Sequence, residues 1–262
     1  MDVIDQFQLF QQELETKHNK WEKIVKLSRD ITIDSKKLIF LLHRIDITSP
    51  ETNSKFKIIT EADEKCDIIM KKWKQIATEL QDEDSHAYIR AFSPGLQEFI
   101  EAMSFLYYFK TEENYSIQSI SNCLLDLSEI QKSLVFADDE NKEPLVIPIP
   151  VLEYLYGIAD TTGEVMRLCI NSAAKAITET SKKKVFKLCA FIRILYEMFL
   201  SFSSIIDVSP GRKRLLQSKI DVMKLSLQKV EDTCYQLGLR GKELLDVILK
   251  NYEPIKVNEP SG

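Results

Sequence analysis

The sequence is poor in glycine and proline, the residues that mark turns and loops. Its 262 residues include 7 glycines and 8 prolines, together about half of the share in an average protein. A fold of many short strands needs more turn residues than this, and no segment alternates polar and apolar residues for long enough to predict a strand. A hydrophobic content of 44% is ample for a core and excludes general disorder. The composition therefore predicts an all-α protein with long helices.

Cysteine and histidine are also scarce, and neither is arranged for chemistry. The 5 cysteines are scattered without a C-x-x-C spacing, which fits neither a disulfide framework nor a zinc site and is typical of a reducing compartment. Among the 3 histidines, only His18 completes a Glu-x-x-His motif, with Glu15, whereas a di-iron bundle needs two such motifs. We interpret every histidine as a surface or packed imidazole.

No segment is predicted to enter a membrane or to direct secretion. Residues 188–206 come nearest to a transmembrane span, but Arg193 and Glu197 lie near their centre, and a central arginine costs about 2.5–3.5 kcal/mol. These two side chains are spaced for an ion pair, so a buried helix is the better interpretation. The first residues are acidic and polar, unlike a secretion signal. We therefore expect no membrane contact.

Apolar residues recur at helical spacing along most of the chain. The first such segment alone predicts a helix on the order of 50 Å long, which implies an elongated bundle. Ser93 and Pro94 resemble a helix start, with serine as the N-cap and proline in the first turn. The predicted helices cover 10–45, 59–80, 93–109 (after a short piece at 87–92), 116–135, 150–174, 182–206 and 210–237. We expect one domain over 1–262, with an acidic loop at 136–149 and a short flexible tail at 252–262.

Two of the predicted helices carry paired carboxylates. Glu98 and Glu101 interrupt an apolar run on the third helix, and Asp160 and Glu164 lie on the fifth. Spacings of three and four residues place each pair on one helix face. If the two helices pack together, four carboxylates form an all-oxygen site suited to magnesium or manganese.

The same spacing is common on solvated helix faces, so the pattern alone leaves two interpretations open. Apolar neighbours surround Glu98 and Glu101, and the fifth helix contains Gly157 and Gly163 in its interior. An interior glycine costs about 1 kcal/mol relative to alanine, which suggests that another helix or a ligand approaches closely there. These features favour the metal site without deciding between the two interpretations.

Basic residues occur in short groups that either face solvent or contact phosphate. Acidic residues dominate between positions 91 and 180, and basic residues dominate after position 180. Arg167 follows Glu164 by three residues, so its guanidinium is a candidate to hold a phosphate beside the carboxylates. The basic groups are 71–74, 182–184 and 212–214.

Several segments closely resemble the translin family, and the resemblance extends over essentially the whole chain. Three segments resemble the first helix of a family subunit. Two further segments resemble the acidic motifs of the family's catalytic members, and translin itself lacks these motifs. The segments are FQQELE (10–15), KLSRDIT (26–32), IFLLHR (39–44), GLQE (95–98) and ADTTGE (159–164) followed by Arg167.

The resemblance implies a seven-helix translin fold and the catalytic subunit of a magnesium-dependent endoribonuclease. Such a subunit assembles with translin into a hollow hetero-octamer that acts on RNA, both in RISC activation during RNA interference and in the processing of RNA precursors. Glu98, Glu101 and Asp160 match the family's catalytic carboxylates, and Glu164 matches a fourth acidic residue beside them. The implied substrate is single-stranded RNA or a nicked duplex, and Mg²⁺ or Mn²⁺ is the implied cofactor.

The alternative function is that of a non-catalytic helical adaptor that stabilises translin and scaffolds RNA or protein binding. Carboxylates that converge on one point favour the enzyme, and carboxylates on separate solvated faces favour the adaptor. Apolar stretches at 103–109 and 199–206 exceed what one bundle needs and predict surface buried against partners. The expected location is the cytoplasm. A nuclear location also stays open, although the basic N-terminal extension of some relatives is missing here.

Overall fold

The computed structural model describes residues 3–49, 52–137 and 143–251, and these residues are almost entirely helical. The all-α prediction and the elongated shape are confirmed, since α1 contains 40 residues and extends for about 60 Å at 1.5 Å per residue. The helices are α1 (Val3–Leu42), α2 (Thr52–Glu79), α3 (Ser85–Thr111), α4 (Leu127–Ser133), α5 (Val151–Ala173), α6 (Glu179–Ser203) and α7 (Pro210–Asn251).

The helices pack in an order that places α3 and α5 at the centre of the bundle. The most extensive contact joins α1 to α3, while α2 covers α1, and α6 and α7 cover α5. Aromatic side chains fill the core between them, with Trp73 of α2 edge-on to Phe92 and Phe99 of α3. All five cysteines are free and buried. No described helix is both long and apolar enough to cross a membrane.

Helix α3 begins earlier than predicted and continues through Pro94. Asp84 is its N-cap and accepts a hydrogen bond from the backbone of His86, so the predicted start at Ser93 is wrong. Proline interrupts the helical hydrogen-bond ladder, but Ser28 of α1 satisfies groups on both sides of the break. Its Oγ accepts from the Gly95 N–H at 3.1 Å and donates to the Phe92 carbonyl at 3.4 Å. Contact with another helix therefore keeps α3 continuous.

The helix predicted at 116–135 is wrong over most of its length. The chain there forms 3-10 turns at Glu112–Asn114 and Ile117–Cys123, and only α4 is α-helical. Serine side chains explain the difference, because they compete for backbone hydrogen bonds. Ser116 and Ser119 form a reciprocal capping box, and Asp126 then starts α4 by accepting from the Ser128 N–H.

A short antiparallel ladder also departs from the strand-free prediction. It joins β1 (Val135–Phe136) to β2 (Leu145–Val146). The two strands flank the middle of the acidic loop predicted at 136–149. Residues 138–142 of that loop lie outside the described residues. Helix α7 continues to Asn251 without interruption at its glycines. The tail predicted at 252–262 lies outside the described residues.

Gly157 marks a close approach of α3 and α5. A Cβ added there would lie 2.7 Å from Cβ and Cγ2 of Ile100 and 2.9 Å from the carbonyl oxygen of Gln97. The close approach predicted from this glycine is confirmed. Gly163 differs, because a Cβ added there meets no described atom within 4 Å. Within this part of the chain, the packing interpretation of Gly163 is wrong.

Exposed apolar side chains concentrate on the first turns of α1. Residues 3–19, which we call the N-terminal arm, are exposed throughout, and their apolar side chains include Phe7, Phe10 and Leu14. The stretch 103–109, predicted to face a partner, lies largely in the core instead. In the second predicted stretch Phe199 is buried, whereas Phe202 and Ile205 are exposed.

The two glycines of α5 give a matched stability test. We expect Gly157→Ala to lower the free energy of unfolding by about 1–3 kcal/mol, because the new methyl group overpacks the contact with α3. Gly163→Ala should raise it by about 1 kcal/mol through better helix propensity. Urea unfolding of both variants measures the difference, and equal effects at the two positions would contradict the packing described here.

Candidate active site

The four predicted carboxylates come together where α3 crosses α5. Glu98 and Glu101 project from α3, one turn from the contact at Gly157, and Asp160 and Glu164 project from α5. Their proximity is visible in Glu101, since burial and then the charges of Asp160, Glu98 and Glu164 raise its pKa to about 8. A metal site at these residues requires this convergence, and the structure brings the other three groups within electrostatic reach of Glu101.

Three of these carboxylates line a cleft of about 380 Å³. Its wall also includes Arg167 of α5, and Lys36, Ile39 and Phe40 of α1. Asp160 lies beside this cleft, facing α7. Helix α1 therefore forms a third side of the site.

Glu98 and Asp160 each contact a lysine from a different helix. Lys36 Nζ of α1 lies 3.1 Å from Glu98 Oε1. Lys219 Nζ of α7 lies 2.7 Å and 2.6 Å from the two oxygens of Asp160, and it also lies over the ring of Tyr156 at 5.5 Å. Each of these two carboxylates therefore has a counter-charge from a neighbouring helix.

Glu164 is bound between His43 of α1 and Arg167. His43 Nε2 lies 2.5 Å from Glu164 Oε2, and Arg167 lies 3.1 Å from the same oxygen. Burial opposes ionisation of Glu164, but the His43 hydrogen bond and the charge of Arg167 outweigh it and lower its pKa. A carboxylate can only accept, so Nε2 carries the proton. His43 Nδ1 is buried and has no hydrogen-bond partner among the described residues.

Glu101 has no hydrogen bond or ion pair to any described residue, so repulsion from its neighbours is poorly balanced. The donor chemistry fits a hard divalent cation, because such a cation is bound by clustered carboxylates and removes their repulsion. No three such side chains within 3–49, 52–137 and 143–251 already stand in position to hold a metal ion. The other three carboxylates instead contact Lys36, Lys219, Arg167 and His43.

A buried polar cluster joins α3 to α5 beside the acidic site, one turn before Gly157 on α5. Glu153 Oε2 accepts from Ser93 Oγ at 2.5 Å and from Gln97 Nε2 at 2.7 Å. Leaving one partner of a buried hydrogen bond unsatisfied costs about 1–3 kcal/mol. This cluster holds the relative position of the two helices on which the carboxylates stand.

Sequence reasoning found the carboxylates and Arg167 but missed the groups that surround them. His43 was interpreted as a surface or packed imidazole, yet it bonds Glu164 across 121 residues of sequence. Lys36 and Lys219 carried no signal of their own. Phe40 and His43 lie in the segment 39–44 that resembles the translin family, but the resemblance gave neither residue a role.

The fold and the site together define an α-helical bundle of the translin type with an acidic cleft between α3 and α5. The sequence model of a protein family, described as "Translin family", matches residues 19–241 of this chain. The chain therefore belongs to this family.

Curated relatives called translin-associated protein X are similar over nearly the whole chain. The protein of Rattus norvegicus is 39% identical over 255 residues, which cover 95% of this chain and 83% of the relative. The homolog of Schizosaccharomyces pombe is 30% identical over 236 residues, covering 90% and 88%. The similarity to this branch of the family agrees with the acidic motifs.

Solved structures of C3PO proteins share the fold. Apo-NeC3PO superposes with a TM-score of 0.60 at 21% identity, covering 90% of this chain and 98% of the other. AfC3PO in complex with duplex RNA superposes with a TM-score of 0.61 at 15% identity, covering 90% and 97%. At these identities the similarity shows the fold.

The raised pKa of Glu101 predicts a pH-dependent stability. Its folded pKa of about 8 exceeds the ordinary 4.5, so the folded state binds the extra proton. This stabilisation is complete below pH 4.5 and is lost as the pH rises through 8. Urea unfolding in metal-free buffer should therefore show stability falling from pH 5.5 to 8.5, by at most about 1.4 kcal/mol per pH unit from this group.

Replacing Glu101 tests the assignment. Glu101→Gln keeps the shape of the protonated acid and should flatten the profile over this range. Glu64→Gln, on an exposed part of α2, is the control and should leave the profile unchanged. An identical slope in the wild type and in Glu101→Gln would contradict the electrostatic cluster.

Proposed function

We propose that this chain is the catalytic subunit of a magnesium-dependent endoribonuclease that works in a hetero-octamer with translin. The substrate is single-stranded RNA or a nicked duplex, as in passenger-strand removal during RISC activation and in RNA processing. The observation that carries the proposal is the convergence of Glu98, Glu101, Asp160 and Glu164 beside a cleft with cations at its rim. Four neighbouring carboxylates, one of them without a counter-ion, repel one another and so destabilise the fold. A function of the cluster would explain why the chain keeps them together.

The comparisons support an RNA substrate and a multi-subunit assembly. A C3PO protein with this fold was solved with duplex RNA, and the curated relatives are named for their association with translin. The N-terminal arm supports assembly in its own way, because exposed apolar side chains on a helix are typical of a surface that a partner covers.

Glu98, Glu101, Asp160 and Glu164 are the residues that would hold Mg²⁺. When bound there, the ion would polarise a phosphate oxygen and lower the pKa of an attacking water. Glu101 is the natural first ligand, because it has no competing partner in the described residues. Asp160 and Glu164 are held at the edge of the site by Lys219 and His43, and each would exchange part of that contact for the ion.

Arg167 and Lys36 supply the positive charge that a phosphate needs near four carboxylates. Both are exposed, with 55% and 63% of their side chains accessible, so both can move from their carboxylate partners to an RNA phosphate. A guanidinium binds a phosphate through two parallel hydrogen bonds. Arg167 would therefore hold the scissile phosphate, and Lys36 a neighbouring one.

Isosteric replacement of the carboxylates tests catalysis. Glu98→Gln or Asp160→Asn in the translin complex should reduce cleavage of a labelled single-stranded oligoribonucleotide by about 100-fold or more, since even residues behind a ligand cost 10–100-fold. RNA binding should change little, because both changes remove negative charge. Gel assays of cleavage and fluorescence anisotropy of binding measure the two effects separately.

The control is an acidic pair with the same spacing on a solvated face. Glu64 and Asp67 are exposed on α2, and Glu64→Gln with Asp67→Asn should leave cleavage unchanged. If the site variants cleave at the wild-type rate, the proposal fails. A wild-type complex that binds RNA and stabilises translin without cleaving would instead identify the chain as a non-catalytic adaptor.

Metal binding is tested through stability. Mg²⁺ or Mn²⁺ at a hundredfold excess over Kd should stabilise the complex by about 2.7 kcal/mol. The double variant Glu98→Gln, Asp160→Asn should lose most of this response, because two of the four candidate ligands are then neutral. Thermal unfolding of the wild type and of the variant at several metal concentrations measures the difference. Equal shifts in the two proteins would place the cation elsewhere.

A further inference from the structure

Phe40 is the most exposed aromatic side chain among the described residues, and it stands at the acidic cleft. It lies on the last turns of α1 with 76% of its surface accessible, and it lines the same cleft as Glu98, Glu101 and Arg167. Its sequence neighbours Ile39 and Leu41 are buried, so the ring faces away from the core.

The ring has no aromatic contact with any described side chain, although aromatic pairs are common elsewhere in this bundle. A phenylalanine that is mostly exposed contributes little to folding, because burial of its surface is what stabilises a protein. Other rings, Phe56 among them, are nearly as exposed, so the feature that sets Phe40 apart is its place in the wall of the acidic cleft.

The charges beside the ring indicate what covers it. Lys36 precedes Phe40 by four residues on the same face of α1, and Arg167 stands across the cleft on α5. Two exposed cations beside an exposed aromatic ring are the combination that binds a single-stranded nucleic acid, with phosphates on the cations and a base stacked on the ring.

We propose that Phe40 stacks against an unpaired nucleobase of the RNA and so positions the adjoining phosphate at the carboxylates. The inference rests on the proposed function for the placement of the scissile phosphate, but the stacking itself does not require cleavage. A paired base inside a duplex has both faces covered by its neighbours, whereas an unpaired base offers one to the ring. Phe40 therefore favours single-stranded over fully paired RNA, with little preference among bases because each has a π-face.

The test uses the complete translin complex in EDTA, so that binding is measured without cleavage. Phe40→Ala should weaken binding of a fluorescent single-stranded oligoribonucleotide by about 5- to 150-fold, the range for loss of one base–aromatic contact. Binding of a fully paired duplex of the same sequence should change less than twofold. Phe40→Trp should restore the affinity for the single strand.

Two controls separate stacking from a general surface effect. Phe56 is 70% exposed on α2 and is not among the residues that line the cleft, so Phe56→Ala should leave the affinity unchanged. The second control is a series of oligonucleotides, each with a single abasic position. At one position the loss of the base should weaken binding to the wild type but not to Phe40→Ala. A merely structural role of Phe40 would not produce this dependence on one base.

The outcomes distinguish this inference from the proposed function. If Phe40→Ala weakens binding of single-stranded RNA in a complex that never cleaves RNA, the stacking role stands and the nuclease proposal fails. If the complex cleaves RNA and Phe40→Ala alters neither affinity nor rate, the stacking role is overturned alone. Dissociation of translin on Phe40→Ala, with RNA affinity unchanged in the remaining complex, would make Phe40 a partner contact and overturn the inference.

Discussion

The close contact of α3 with α5 determines the geometry of everything around it. Gly157 allows the backbone of α5 to lie directly against Ile100 and Gln97, and the Glu153 cluster fixes the same two helices one turn away. Any side chain at position 157 would push the helices apart and separate the two carboxylate pairs. The acidic cleft is therefore a consequence of helix packing as much as of the acidic residues themselves.

Concentrated negative charge is the main energetic problem of this arrangement, and the bundle reduces it with cations and a hydrogen-bond donor from the surrounding helices. The cations are Lys36 of α1, Lys219 of α7 and Arg167 of α5, and the donor is His43 of α1. Burial leaves Glu101 as the group that cannot be balanced in this way. The site is thus stable enough to fold and retains one carboxyl group whose ionisation is unfavourable without a further cation.

The sequence predicted the parts of this structure that depend on local spacing. Helical periodicity located most of the helices, and the spacing of three or four residues placed each acidic pair on one face. It failed where distant residues decide the structure, as at Pro94, where Ser28 from another helix repairs the ladder. It also failed where serine side chains satisfy the backbone locally, between Ser116 and Asp126. His43 and Lys219 could not be predicted, because their roles come only from contacts across the bundle.

The N-terminal arm of α1 has a consequence for the order in which the molecule opens. A helix without tertiary contacts is held by intrinsic propensity and by continuation from an existing helix, which avoids the cost of nucleation. The arm continues a segment whose later residues, including Ile24 and Ile31, are fully buried. The backbone hydrogen bonds of α1 therefore continue from the buried part of the helix into the arm. The arm, however, is not stabilised by the burial of side chains that stabilises the core. Its amide hydrogens should exchange with solvent through local fraying at a rate far above that of the turns that carry Lys36 and His43, until a partner covers its apolar face.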